Sequence, residues 1–194
     1  MADSAGAGRW LVVGLGNPGA EYQNTRHNAG FFVADLLASR MGSRFKAHRS
    51  RALVAEGRLR GVPVVLAKPT SYMNDSGGPV VSVARFYKVP AERTVAVHDE
   101  LDLDFGQLRV KIGGGDNGHN GLKSLRGSLG TGEFFRVRFG IGRPPGRMAA
   151  ADFVLRDFAG PERGELPFLV DRGADAVESL ITEGLERTQN AFNS

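Results

Sequence analysis

The chain has 194 residues and no cysteine, and its 25 basic and 21 acidic side chains give a formal net charge of +4. With 41% hydrophobic and 24% charged residues, the composition is typical of a globular protein and excludes collagen, coiled coil and extended disorder. The lack of cysteine excludes disulfides, thiolate metal sites and a cysteine nucleophile, and agrees with a reducing compartment. The longest uncharged run, residues 10–20, is too short to span a bilayer.

The basic charge is concentrated in part of the chain. Residues 1–147 carry 21 basic and 12 acidic side chains (+9), whereas residues 148–194 carry 4 and 9 (−5). Residues 40–60 and residues 105–147 each have an excess of +6. Such stripes favour contact with a polyanion over part of the surface, and a solvated, arginine-rich surface is the alternative. Residues 1–8 lack the features of a secretion signal and are predicted to be a loose N-terminal tail, leaving residues 9–194 as one domain.

Hydrophobic spacing predicts strands that alternate with helices along the whole chain. The predicted strands are residues 10–15, 44–57, 62–67, 94–97, 107–112 and 134–141, and the predicted helices are residues 28–41, 77–88, 121–129 and 161–186. The alternation predicts an α/β fold with helices on both faces of a mixed, mostly parallel sheet. Residues 44–67 and 107–112 are the segments expected to be antiparallel. In such sheets, sites lie at the carboxyl ends of the strands.

A G-x-G-x-x-G pattern, Gly14 to Gly19, follows the first predicted strand. In a dinucleotide-binding protein the helix begins at this glycine turn, so that its N-terminus meets the pyrophosphate. Here about seven polar loop residues separate Gly19 from the next helix, and Asp35, at roughly the expected distance, falls inside that helix. A tight turn that exposes the Asn17 amide is the preferred interpretation, and an NAD(P)-dependent oxidoreductase is the alternative.

Two further polar loops follow predicted strands. Residues 98–102 place three carboxylates in four positions, and one of them, Asp99, could orient a histidine and stabilise its imidazolium form. A solvated turn is the alternative, and a metal site is not specified by the spacing. Residues 69–74 contain Ser71, but no G-x-S-x-G pattern surrounds it to indicate a nucleophile. The same loop supplies the amide of Asn74.

Residues 113–121 hold five glycines in nine positions. This content permits positive φ and a close approach of the backbone to a ligand. The helix that follows is expected to offer free N–H groups to an anion or oxyanion, and Asn120 adds a third loop amide. The basic side chains near this glycine loop are Arg109, Lys111, Arg136, Arg138 and Arg143.

The chain has four histidines. His48 falls in the predicted basic hairpin and is expected to be solvated. His27, His98 and His119 lie at junctions between predicted elements, where a histidine is more often a cap or a core residue than a catalyst. His27 is distinguished from the other histidines only by the polar motifs that are predicted to lie near it.

Together these segments resemble the bacterial-type peptidyl-tRNA hydrolase family. The resemblance covers roughly residues 9–187 in the same order, and several separated motifs are far more specific than any one alone. The segments that carry it are residues 12–19 (VVGLGNPG), Tyr22 with residues 25–28 (TRHN), residues 68–74 (KPTSYMN), residues 98–102 (HDELD), residues 113–122 (GGGDNGHNGL), residues 138–142 (RFGIG) and residues 153–155 (FVL).

The resemblance implies a single-domain α/β fold with a twisted, mixed sheet flanked by helices. It implies hydrolysis of the ester between a peptide, or an N-blocked aminoacyl group, and the terminal ribose of tRNA, which rescues tRNA from stalled translation. No metal or cofactor, no membrane and no obligate protein partner is expected, and the implied protein is a cytoplasmic monomer.

The resemblance also assigns roles to residues. His27 corresponds to the catalytic histidine and Asp99 to its partner acid, and a histidine that titrates near neutral pH can take a proton from water. The remaining assignments are Asn17, Asn74 and Asn120 for substrate or oxyanion contact, Tyr22, Tyr72 and Met73 for peptide or tRNA contact, and Arg109, Lys111 and Arg138 for tRNA phosphate.

Two features qualify this assignment. Asp116, inside the glycine loop, places an acid near the expected path of the RNA, and the acidic C-terminal helix is expected to form a wall or lid over the peptide groove. A non-catalytic tRNA-binding protein on the same scaffold is the alternative function. The joint presence of His27, Asp99 and three asparagines favours the esterase, because a pure binding protein does not need that set.

Overall fold

The computed structural model describes residues 8–193, so the predicted tail, residues 1–8, lies outside the described residues except for Gly8. Seven strands and six helices are present in this part of the chain. The strands are β1 Trp10–Gly14, β2 Lys46–His48, β3 Ala52–Leu59, β4 Val62–Pro69, β5 Thr94–Glu100, β6 Leu108–Ile112 and β7 Phe135–Gly140. The helices are α1 Ala29–Arg40, α2 Gly77–Tyr87, α3 Asn120–Leu129, α4 Ala150–Val154, α5 Gly160–Glu183 and α6 Leu185–Phe192.

The strands form one mixed sheet in the order β2-β3-β4-β1-β5-β7-β6. The four central strands, β4, β1, β5 and β7, are parallel to one another. Strands β3 and β6 run antiparallel to their neighbours, as predicted for these two segments. The predicted α/β fold with a mixed sheet flanked by helices is therefore confirmed. The carboxyl ends of β4, β1 and β5 lie side by side at one edge.

Helices cover both faces of the sheet, and the two faces form two hydrophobic clusters. Alternate residues of β1 point to opposite sides, as the two-residue period of a strand requires. Val12 packs into the cluster that contains residues of α1 and α5, whereas Leu11 and Val13 pack into the cluster that contains residues of α2 and α3. The central strands are buried on both sides, which explains their continuous apolar sequences.

Glycines allow α1 to cross the sheet at very short range. A Cβ atom on Gly14 would lie 2.4 Å from the carbonyl oxygen of Gly30, and one on Gly30 would lie 2.3 Å from the carbonyl oxygen of Val97. Helix α1 begins only at Ala29, ten residues after Gly19. The first glycine of the G-x-G-x-x-G pattern therefore serves helix packing rather than a pyrophosphate turn, which disfavours the dinucleotide-binding alternative.

Most predicted elements are present with ends shifted by one to three residues, and β5 continues to Glu100, so that Asp99 lies in the strand and not in the loop after it. Three differences are larger. The strand predicted at residues 44–57 is divided into β2 and β3 by a turn in which Arg51 has φ 59°. The helix predicted at residues 161–186 ends at Glu183, and Gly184, with φ 93°, separates it from α6. Helix α4 was not predicted, because five residues are too few for a clear helical period.

The acidic helix α5 pairs with basic residues of the segment 40–60. Arg40 contacts three of its carboxylates, including that of Glu178, and Arg60 contacts Glu178 and Glu183. Part of the excess charge of residues 40–60 is thus neutralised by the C-terminal segment. No helix within residues 8–193 is long and apolar enough to cross a bilayer.

Candidate active site

The carboxyl edges of β1, β4 and β5 bring the predicted site residues together. Asn17 follows β1, Met73 and Asn74 follow β4, and Asp99 lies in β5. His27 comes from a short 3-10 turn, residues 26–28, that leads into α1. A cleft of about 220 Å³ is lined by residues from all of these segments except β5.

His27 and Asp99 form a buried hydrogen-bonded pair. Nδ1 of His27 lies 2.8 Å from Oδ2 of Asp99, and the two residues are 8% and 2% exposed. An ionised carboxylate can only accept, so Nδ1 carries the proton and Nε2 is left as the acceptor. Burial lowers the pKa of His27, but the charge of Asp99 and the hydrogen bond outweigh it and raise the pKa above its ordinary value. The ring lines the cleft, and its Nε2 has no hydrogen bond within residues 8–193.

His119 binds the other oxygen of the same carboxylate. Its Nε2 lies 2.8 Å from Oδ1 of Asp99, while its Nδ1 accepts the backbone N–H groups of Gly121 and Leu122 at 3.1 and 3.3 Å. These partners require the proton on Nε2. Burial raises the pKa of Asp99, but His27 and His119 outweigh it and hold the pKa far below its ordinary value.

The contact of His119 with Asp99 was not predicted from the sequence, whereas capping is one of the two common roles given above for a histidine at such a junction. The first turn of α3 was expected to offer free N–H groups to an anion, and this prediction is wrong for the two groups that the His119 side chain caps. One signal was present, since His119 stands directly before the helix, at a position where a capping side chain is common.

His98 is a core residue and not part of the cleft. Its Nδ1 lies 2.7 Å from the backbone oxygen of Asp99, and the residue is 1% exposed. Burial and the neighbouring His119 lower the pKa of His98 to about 3, so its ring is neutral at physiological pH. The third histidine near the site thus supports the end of β5.

Two histidines and one carboxylate have the composition of a metal site, but their hydrogen bonds disfavour one. The candidate ligand atoms of His27, Asp99 and His119 lie within 4.8 Å of one another. A metal on Nε2 of His119 would move that ring's proton to Nδ1, where it would face the N–H groups of Gly121 and Leu122. Coordination would therefore break the cap of α3, and the set fits hydrogen bonding better.

The three predicted asparagines surround the same cleft. Oδ1 of Asn17 accepts the backbone N–H of Met73 at 2.7 Å, which leaves its Nδ2 as a donor. Asn28 was not assigned a role from the sequence, but it fixes the Asn17 backbone by accepting its N–H and donating to its carbonyl. Asn74 and Asn120 line the cleft beside His27.

The predicted contact residues differ in accessibility. Tyr72 is 58% exposed at the rim of the cleft, and its ring lies edge-on to that of Tyr22 with 6.2 Å between the centroids. Met73 is only 3% exposed and contributes to the wall. The opposite wall comes from Ala151, Val154 and Leu155, at and just beyond α4. None of the residues that line this cleft belongs to α5, so the prediction that the acidic C-terminal helix forms a wall or lid over the groove is wrong. The short helix α4, which the sequence did not predict, takes that position.

The predicted basic residues lie together on β6 and β7. Arg109 pairs with Arg138 across the two strands, and Nε of Arg138 lies 3.1 Å from Oε1 of Glu100. Lys111 pairs with Arg136 in the same ladder. Burial and the charges of Arg138 and Arg136 lower the pKa of Lys111. Lys111 lies close to other cations, so a bound anion such as phosphate would stabilise its charged form.

The glycine loop is held by Arg136, which is fully buried. Its guanidinium donates to the carbonyls of Gly114, Gly115 and Gly132. Asp116, the acid that the sequence places near the expected path of the RNA, has its carboxylate 3.6 Å from the guanidinium of Arg126. Part of its charge is thereby compensated.

Comparison with known proteins supports one family. The family model for peptidyl-tRNA hydrolase matches residues 11–194. A peptidyl-tRNA hydrolase of Streptomyces coelicolor is 65% identical over 192 residues, 95% of each chain, and that of Mycolicibacterium smegmatis is 57% identical over 185 residues, 95% of this chain and 97% of the other. A crystal structure of the Acinetobacter baumannii peptidyl-tRNA hydrolase superposes with a TM-score of 0.90 at 35% identity, covering 97% and 96% of the two chains. The chain therefore belongs to the peptidyl-tRNA hydrolase family.

Proposed function

We propose that the protein hydrolyses the ester between a peptide, or an N-blocked aminoacyl group, and the terminal ribose of tRNA. The observation that carries the proposal is the His27–Asp99 hydrogen bond of 2.8 Å, which leaves the acceptor nitrogen of His27 free beside the cleft. Membership of the family supports the substrate class, and the amide-lined cleft suits a peptide backbone because amides bind it without selecting side chains.

His27 acts as a general base. Its Nε2 takes a proton from a water molecule as the water oxygen attacks the ester carbonyl carbon. Asp99 fixes the tautomer through Nδ1 and stabilises the imidazolium that forms. The tetrahedral intermediate then expels the ribose oxygen, which takes up the proton, so that free tRNA and a carboxylic acid leave.

The asparagines bind the acyl part of the substrate. Asn17 presents its Nδ2 donor, since its oxygen is used by Met73. Asn74 or Asn120, or a backbone N–H beside them, polarises the scissile carbonyl, a contribution of about 10²-fold or more for a well-placed donor. Tyr22 and Tyr72 contact the peptide or the tRNA at the rim, and Met73 contacts it from the wall.

The basic residues of β6 and β7 bind the RNA part of the substrate. Lys111 and Arg138 hold a phosphate, and Arg109 extends the track. Residues 9–194 act as one unit without a metal or cofactor. In this proposal the protein works as a monomer in the cytoplasm, with no obligate protein partner.

The test is release of a labelled N-blocked aminoacyl group from tRNA by the wild type and by His27→Ala, with EDTA present. We expect rapid release by the wild type and a loss of about 10²–10⁴-fold in the variant, with tRNA affinity retained. Near-normal turnover by His27→Ala would remove the general-base assignment. No release by the wild type despite tight tRNA binding would favour the non-catalytic binding protein.

A further inference from the structure

The basic segment at residues 40–60 is only partly neutralised in the fold. Arg40 and Arg60 pair with α5, and Arg58 donates to the carbonyl of Gly61. The other basic side chains of the segment, among them Lys46, Arg49 and Arg51, have no carboxylate within 4.0 Å in the part of the chain that the structure describes. Basic side chains that remain unpaired together on a folded surface either bind an anionic partner or are hydrated by solvent.

These three cations lie on and beside β2, at one end of the sheet order. Arg49 and Arg51 stand in the turn between β2 and β3, and all three side chains are exposed. The carbonyl of Arg51 accepts the backbone N–H of Thr70 at 2.9 Å, which fixes the turn beside the loop that follows β4. The turn therefore presents its charges from a defined backbone position.

An exposed aromatic side chain lies beside the turn. Phe86, at the end of α2, is 48% exposed. Cζ of Arg49 lies 4.9 Å from its ring centroid, and His48 contacts the ring edge-on at 4.7 Å. Arg85 and Lys88 flank Phe86 in the chain and are exposed. We call the set Lys46, Arg49, Arg51, Arg85, Phe86 and Lys88 the β2 surface.

The one acid of the neighbouring strand β3, Glu56, accepts a tyrosine hydroxyl and forms no ion pair with these cations. Oε2 of Glu56 accepts the hydroxyl of Tyr87 at 2.9 Å, and burial together with this contact raises the pKa of Tyr87 to about 12. Edge strands often carry lysine to deter pairing with other chains, which accounts for Lys46. That device needs neither the arginines of the turn nor an exposed phenylalanine, so it leaves most of the β2 surface unexplained.

We infer that the β2 surface binds single-stranded RNA without sequence preference. Arginine forks match phosphate geometry, and an exposed aromatic ring accepts a base by stacking, a combination typical of such sites. An acidic peptide would use the charges but gain little from Phe86. The surface is separate from the Lys111–Arg138 cluster, because five interstrand steps separate β2 from β7, about 24 Å at the usual spacing.

The test is fluorescence anisotropy with a labelled oligouridylate about ten nucleotides long, titrated over a range of salt concentrations. The variant is Lys46→Glu with Arg49→Glu. Arg58→Glu provides a control at the other end of β3, beside the turn to β4, and a Phe86→Leu variant keeps an apolar side chain but removes the stacking ring. Circular dichroism and kcat at saturating N-blocked aminoacyl-tRNA verify that each variant is folded and that the cleft is intact.

We expect the double variant to bind the oligonucleotide about tenfold more weakly or worse, with a salt slope flatter by about 1.4 for two lost phosphate contacts. Phe86→Leu should weaken binding by about fivefold or more with the salt slope unchanged. Equal affinities for the double variant and Arg58→Glu would overturn the inference. Binding of a polyglutamate peptide in place of RNA would overturn it too. Hydrolysis serves only as a control here. If the proposed hydrolase function failed, the oligonucleotide affinities would still test the inference.

Discussion

Replacing Asp99 by asparagine removes the charge from the centre of the site without changing its shape. Both carboxylate oxygens are used, one by His27 and one by His119, each at 2.8 Å. Asparagine keeps one acceptor oxygen but presents an NH₂ group to the other ring. The ring that meets this donor must turn or change its tautomer, and for His27 that places the proton on Nε2, where the base is needed.

The magnitude follows from the distance between the charges. With Nδ1 and Oδ2 2.8 Å apart, the imidazolium and carboxylate centres are separated by about 4 Å. At an effective dielectric constant of about 20, their attraction is about 4 kcal/mol. This energy favours the protonated base that forms in the transition state, so its loss corresponds to about 10³-fold in kcat.

The assay is the pH dependence of N-blocked aminoacyl-tRNA hydrolysis. In the wild type, activity falls as the pH drops through the raised pKa of His27, because the base must be neutral. In Asp99→Asn only burial remains, and burial lowers the pKa, so the acid limb should move to lower pH while the plateau falls. Asp102→Asn is the matched control, since Asp102 is exposed and held by Arg143. A plateau within tenfold of the wild type, or an acid limb at higher pH, would refute the reasoning.

Three further substitutions test the packing, the cap and the RNA contact. Gly30→Ala would place a Cβ atom 2.3 Å from the carbonyl oxygen of Val97, so it should lower the free energy of unfolding, measured in urea, by about 3 kcal/mol. Gly127→Ala, whose Cβ would lie in open space, should raise that free energy slightly. Equal effects of the two substitutions would contradict the close crossing of α1 over the sheet. His119→Ala should cost about 1–2 kcal/mol by the same measurement and lower kcat as well, and a loss of stability alone would limit His119 to capping. Lys111→Ala should weaken tRNA binding and flatten its salt dependence by about one unit, and an unchanged slope would argue against a phosphate contact.

The alternation of apolar and polar segments was sufficient to predict the α/β fold, the mixed sheet and most of the elements. The reason is that a strand or helix buried in a layered domain must repeat its apolar residues with the period of its own geometry. The limits of elements were less predictable. The turn at Arg51 and the break at Gly184 depend on single backbone conformations with positive φ, and these leave no mark on hydrophobic periodicity.

The chain's own motifs also located the candidate site, because loops after parallel strands meet at one edge of the sheet whatever the details of packing. Asn17, His27, Asn74 and Asp99 could therefore be predicted to lie near one another. Asn120 is different, because its loop follows the antiparallel strand β6, and only the family resemblance implied that it belongs to the same site. Their hydrogen bonds could not, since each depends on side chains that are far apart in sequence.

Only the tertiary structure decided that Asp99 holds two histidines, that one of them caps α3, and that Asn28 fixes Asn17. It also decided which charges of residues 40–60 face α5 and which remain on the surface. Sequence specifies which groups can donate, accept or carry charge. Which of them become partners depends on distances of a few ångström that are set when the layers pack.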